Sequence, residues 1–230
     1  MTILLAHELG HFLVSRKYGV EVTLPFFIPF PFSPFGTLGA IIQMKGTIPN
    51  RKALLDIGLA GPLAGLVFTL PAIIIGLHLS EVVVLSEIEE PVIPLGSSLL
   101  FSLIERIIFG PLPEGQDIIL HPIAYAGWVG LFVTALNLLP VGQLDGGHIS
   151  FALFGKNSKI VYYITLGILG LICIFITPAW TLLLILLLIF GFHHPPPLDE
   201  VTPLDQKRKV AGICALIFCA IAFTPVPFQI

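Results

Sequence analysis

An all-α polytopic membrane protein is the fold class predicted here: a bundle of about six transmembrane helices with a short membrane-associated β segment after the first. Three features predict it. Of 230 residues, 56% are apolar and only 11% are Asp, Glu, Lys or Arg, less than half the charged share of an ordinary soluble domain. The apolar residues fall into six separate runs, through which many of the 22 Gly and 20 Pro are spread, as transmembrane helices tolerate. The basic residues, finally, collect in alternate connections between those runs.

In chain order the runs are 1–15, 53–79, 122–139, 160–176, 179–192 and 210–223. A bilayer crossing takes about 20 residues, so the first and the last two are short, and the expectation is either that they start inside the bundle or that the chain lacks an upstream piece. The first has no basic region before it and no small-residue cleavage site after it, which argues for an embedded helix and against a signal peptide. The stretch 98–109 is too short for a span and is read as a helix lying along the surface. Cys173, Cys214 and Cys219 lie in apolar runs, so neither a disulfide framework nor a CxxC metal site is expected.

Alternating six spans with Arg16 and Lys17 on the inner side also places Lys45, Arg51, Lys52, Lys156, Lys159, Lys207, Arg208 and Lys209 there, and only Arg106 outside. Basic loops stay on the cytoplasmic side during insertion, so a multi-pass protein of a prokaryotic cell membrane, its site toward the cytoplasm, is the expectation. The loop left outside, 80–121, is acidic. A net charge of −3 offers no basic surface to a nucleic acid. The partners expected are the lipid bilayer and transmembrane proteins or peptides; the sequence leaves the oligomeric state open.

Between the first two runs, segment 18–52 holds Pro25, Pro29, Pro31 and Pro34 interleaved with Phe26, Phe27, Phe30, Phe32 and Phe35. Such regular proline excludes a helix, while the phenylalanines disfavour water. A loop dipping into the membrane, with a strand over 38–44, satisfies both. An aromatic interfacial anchor is the alternative.

The chemistry begins in the first run. His7, Glu8 and His11 read H-E-L-G-H, and on a helix the i, i+4 spacing sets both imidazoles on one face with Glu8 beside them. Three ionisable groups at membrane depth are expensive, which marks them as functional. His11 lies five residues before Arg16, about 7–14 Å beneath the inner surface for the pair at a helical rise. A catalytic zinc site takes three protein ligands and keeps one open position. Asp145, in N-L-L-P-V-G-Q-L-D-G-G-H over 137–148, follows a span that runs inward and can meet His11 at similar depth. It can equally cap a following helix, and His148 remains a second candidate ligand. Asn137 offers an oxyanion or substrate-backbone donor, or an interhelical hydrogen bond. His193 and His194 are read as interfacial.

The pair H-E-L-G-H and N-x-x-P-x-x-x-L-D-G, in two membrane segments of a polytopic chain, resembles the site-2 protease family, the zinc metalloproteases that cleave within membranes. A-G-P-L-A-G at 60–65 and the late H-P-P-P-L-D-E segment resemble further family motifs, closest to the archaeal, cyanobacterial and chloroplast branch. The resemblance implies one Zn2+ per chain held by His7, His11 and Asp145, and Glu8 as the catalytic base, in a single intramembrane metalloprotease domain over 1–230. It implies also a fuller first helix, often with another span before it, than the six residues ahead of His7 supply. Gly142 stands where many members carry Pro. Because a helical peptide must be extended before its carbonyls are open to attack, Ile41 and Ile42 in the expected strand are candidates to pair with the substrate backbone. The rival reading is a metal-ion transporter or channel with His7, His11 and Asp145 as a transit site; it needs a polar path through the other runs, which they scarcely provide.

Overall fold

The computed structural model describes residues 1–29, 37–87, 94–191 and 197–228. The middle of the Pro/Phe run (Phe30, Pro31, Phe32, Pro34 and Phe35), the loop residues Glu89 and Glu90, and the His193–His194 pair lie outside the described residues.

Eight α-helices follow in the described chain: α1 (Thr2–Lys17), α2 (Arg51–His78), α3 (Leu99–Phe109), α4 (Pro122–Asn137), α5 (Asp145–Phe154), α6 (Ser158–Phe175), α7 (Thr181–Phe190) and α8 (Gln206–Ala222). All six anticipated runs are helical, and so is the short 98–109 stretch. Among the described residues, Arg51–His78, at 28 residues, and the α5–α6 run Asp145–Phe175, at 31, are the helices long and apolar enough to cross a membrane. Pro122–Asn137 and Pro178–Ile189 are shorter apolar helices, because Pro140 and Pro178 interrupt hydrogen-bonded propagation at their ends. Two long apolar helices are thus accompanied by shorter ones packed beside them.

The centre of the assembly is α2. Buried residues make up 44% of its apolar window but only 17% of that of the α5–α6 run, so α2 is a core helix and α6 a peripheral one. Ile164, Ile168, Leu171 and Phe175 of α6 and Leu182, Leu186 and Ile189 of α7 are exposed. A continuous apolar surface of this kind suits contact with lipid rather than water. Two apolar clusters surround α2. One gathers Leu54, Leu55, Val141, Ile149, Leu166 and Trp180; the other gathers Ile73, Leu77, Phe101, Trp128 and Leu131 toward the opposite end.

The Pro/Phe segment contains a hairpin and not a lone strand. β1 (Phe26–Pro29) pairs antiparallel with β2 (Thr37–Ile41), with a register irregularity between Phe27 and Pro29. The anticipated strand over 38–44 is thus shorter and has a partner, because an isolated strand leaves two edges of backbone unsatisfied. A second antiparallel pair, β3 (Glu81–Val84) with β4 (Gln116–Ile119), closes the loop 80–121. Four-residue strands carry too little alternation to be read from sequence.

The basic connections come to one end of the bundle. Arg208 near the start of α8 bonds Asp56 of α2 and reaches the Tyr18 hydroxyl just after α1, and Arg51 at the start of α2 donates to the Ala152 and Leu153 carbonyls at the end of α5.

Candidate metal centre

Two glycines let the metal-bearing helix approach α2. A methyl group on Gly10 would lie 2.3 Å from the Ala60 carbonyl oxygen, and one on Gly61 would lie 2.0 Å from His11 Nε2. Both distances are impossible contacts, so A-G-P-L-A-G supplies the groove into which α1 and its imidazole ring fit. Ile57 lies six residues after Arg51, roughly 9 Å along α2 from its basic end by the helical rise, which matches the depth read from α1.

Within this groove the His7 and His11 rings meet edge to face, their centroids 4.8 Å apart, and both residues are 5% exposed. Their Nε2 atoms are 3.1 Å from each other. Asp145, the first residue of α5, brings Oδ2 to 3.1 Å from His7 Nε2 and Oδ1 to 3.2 Å from His11 Nε2. The connection that delivers it runs from the end of α4 through Gly142, whose φ of 56° is left-handed. A proline ring excludes that conformation, so glycine here goes with a different turn from the one a proline would give.

The tautomers decide what these contacts are. His11 Nδ1 lies 2.8 Å from the Ile57 carbonyl oxygen, which can only accept, so Nδ1 carries a proton and the neutral ring presents its lone pair at Nε2. Asp145 Oδ2 is buried and has no hydrogen-bond donor despite its proximity to His7. Three buried groups therefore converge, each offering one ligand atom within 4.8 Å of the others. With both imidazoles neutral and their Nε2 lone pairs turned inward, a cation among the three satisfies them and the orphaned Asp145 Oδ2 together. Two imidazole nitrogens and a carboxylate are a donor set that fits zinc.

Glu8 stands beside the cluster, half-buried, and its carboxylate accepts the backbone N–H of Ile42 just past β2. Thr23 donates its amide to Gln43 O, and Gln43 donates its own to Thr23 Oγ1, so that peptide faces the β1 side. Alternation turns Ile41 to the same side and Ile42 to the opposite edge, toward α1. Of the two isoleucines proposed to meet a substrate backbone, only Ile42 is on the edge that faces the metal helix, and its amide already holds Glu8.

Asn137 closes α4 and places Nδ2 3.3 Å from His7 Nε2, so the end of that helix reaches the cluster without continuing through Pro140. His148, one turn beyond Asp145, is buried but outside the three-residue group; its Cβ packs beside Gly58. At the far end, His78 Nδ1 donates to the Ile74 carbonyl and His121 accepts the Ile123 amide as the cap of α4.

Residues 1–174 match peptidase family M50, a stretch that contains every residue of the cluster. The chain belongs to peptidase family M50. Among similar proteins are the probable zinc metalloprotease EGY1, chloroplastic, of Arabidopsis thaliana, 36% identical over 97% of this chain and 41% of the relative. The probable zinc metalloprotease EGY2, chloroplastic, of the same plant is 30% identical over 98% and 40%. The probable zinc metalloprotease EGY3, chloroplastic, of Oryza sativa subsp. japonica is 31% identical over 98% and 41%. The chain spans about two fifths of the length of these curated relatives. No solved structure matches it. Membership in M50 agrees with the resemblance read from H-E-L-G-H and the 137–146 motif.

What the motifs left unseen are the groups around these side chains: the Ile57 carbonyl on His11, the Ile42 amide on Glu8, and the Asp56 carboxylate one residue before Ile57. Backbone groups have no sequence signal. Asp56 does, as a carboxylate inside an apolar helix.

Proposed function

We propose that this chain is the catalytic domain of a zinc-dependent intramembrane endopeptidase that cleaves transmembrane segments of other membrane proteins. The observation that carries the reading is the buried convergence of His7, His11 and Asp145 with Glu8, a carboxylate outside the ligand set, beside it. A metal-transport site has no use for that fourth group, and family M50 gives the transport alternative no support.

Zinc held by His7, His11 and Asp145 supplies Lewis acidity to polarise a peptide carbonyl and to acidify water. Glu8 takes a proton from the attacking water and returns it to the leaving amine. The Ile42 amide holds the Glu8 carboxylate in place for both transfers. Asn137, next to His7, is placed to donate to the carbonyl oxygen as it gains charge. The buried α1–α2 groove limits bulk water, while the hairpin offers a strand edge to a peptide that has left its helix.

The direct test is purification of the full chain in detergent, zinc analysis, and cleavage of a model transmembrane peptide. One zinc per chain is expected, with cleavage abolished by a chelator and restored by stoichiometric zinc. Metal-free cleavage would overturn the reading.

Two further outcomes follow. Substrates with Gly or Pro near the scissile bond are expected to be cut faster, since they unwind more cheaply than Ala by about 1 and about 3 kcal/mol respectively. Ile42→Pro should cut slowly with zinc retained, because it removes the amide that holds Glu8 along with the outward strand donor. Normal cleavage by that variant would take the hairpin out of the reaction.

The basic end of the bundle is proposed to face the compartment into which proteins are not translocated, with the acidic 80–121 connection opposite. The chloroplastic relatives make that compartment the stroma as readily as a prokaryotic cytoplasm. In a cysteine-free background, single cysteines at Glu114 and Lys207 should react with an impermeant maleimide from opposite sides. Reaction from one side would overturn the arrangement.

A further inference from the structure

At the basic end, α1, α2 and α8 are joined by one polar cluster that the proposed reaction does not use. Arg208 donates Nε to Asp56 Oδ1 at 2.9 Å and Nη2 to Asp56 Oδ2 at 2.7 Å, a two-pronged pair. The Tyr18 hydroxyl donates to the same Oδ2 at 2.5 Å. Asp205 caps α8 by accepting the Arg208 amide, and its other oxygen accepts Nη1 at 2.6 Å. The fork of a guanidinium fits a carboxylate in a fixed plane, which an ammonium does not do.

The position of this carboxylate is what gives the cluster a consequence. Asp56 is followed by Ile57, whose carbonyl takes the Nδ1–H of His11 at 2.8 Å. That bond selects the tautomer and the ring orientation that aim Nε2 at the cluster of ligands. The Gly10–Ala60 and Gly61–His11 approach seats α1 on α2, and polar ties to Asp56 lie at the end of that groove. To that packing the cluster adds directional ties, with Tyr18 anchoring Asp56 to the end of α1 and Arg208 anchoring it to α8.

We propose that Asp56 and Arg208 are positioning residues for the metal centre: the Arg208–Asp56–Tyr18 cluster sets the Ile57 carbonyl on His11 and so couples the C-terminal helix α8 to zinc affinity. The proposal rests on His11 as a zinc ligand. Partners that orient metal-bound imidazoles typically cost 10–100-fold in affinity when lost. A cluster acting through a carbonyl belongs at the lower end, and Asp56→Asn and Arg208→Ala are each expected to weaken zinc binding about tenfold.

The experiment measures zinc dissociation constants by chelator competition on the full chain in detergent, with the visible spectrum of the cobalt(II)-loaded protein as a report on ligand geometry. Asp56→Asn and Arg208→Ala should each weaken zinc and shift the cobalt bands. Tyr18→Phe, which deletes one hydroxyl and keeps the ion pair, should act in the same direction by about threefold, the equivalent of an ordinary hydrogen bond. It keeps the proposal testable if the other two variants do not fold. His11→Ala is the control that separates the two claims. Unchanged zinc binding there overturns the ligand assignment. Loss of zinc in His11→Ala, with wild-type affinity and cobalt spectrum in the cluster variants and only a lower melting temperature of the metal-free protein, shows that the cluster is a structural clamp and overturns the positioning role.

Discussion

Glu8→Gln is expected to retain one zinc per chain and to lose peptide-bond cleavage by about 10²–10⁴-fold, the range that a positioned general base contributes. The substitution keeps the size of the side chain and its ability to accept the Ile42 amide, but an amide has no basic oxygen with which to take a proton from water. His7, His11 and Asp145 are untouched, so zinc content separates this loss from a collapse of the site. Zinc analysis and cleavage of a transmembrane peptide are measured on the same preparation. Cleavage at the wild-type rate would sink the assignment of Glu8, and loss of zinc together with activity would make it a ligand rather than a base.

The second large effect is on the metal itself. Asp145→Ala should reduce zinc affinity by more than the roughly 10–100-fold that loss of an outer hydrogen-bond partner costs, since it removes one of three ligands from a site that keeps its fourth position open. His148→Ala should leave zinc content unchanged, because His148 packs toward Gly58 outside the convergent group. Equal loss in both variants, with the wild-type helical content retained, would mean that α5 contributes two ligands. The contrast also controls for folding: each change truncates a side chain in the first turn of α5, so general disruption of that helix would affect both.

The parts of this site legible in the sequence are those that local periodicity dictates. An α-helix brings residues four apart onto one face, so H-E-L-G-H placed His7 and His11 together as soon as the segment was read as a helix. The absence of charge over long runs marked the helices, and the cost of ionisable groups among them marked the site. The Pro/Phe segment could be denied a helix, but its hairpin depends on a pairing between β1 and β2 that no local rule supplies.

Tertiary structure decided the rest. From the residues by themselves, Asp145 and His148 were both candidate ligands, because each follows the same break after Pro140. Which of them comes level with the two imidazoles is settled by the turn through Gly142 and by the seating of α5 against α2 at Gly58. The length of each apolar helix likewise depended on where the helices break. The contacts around His11 and Glu8, from the Ile57 carbonyl, the Ile42 amide and the cluster joining Tyr18 to Arg208, span up to 190 positions of the chain. Sequence spacing carries side-chain identity along one helix; distances between helices arise only when their grooves and glycines are packed together.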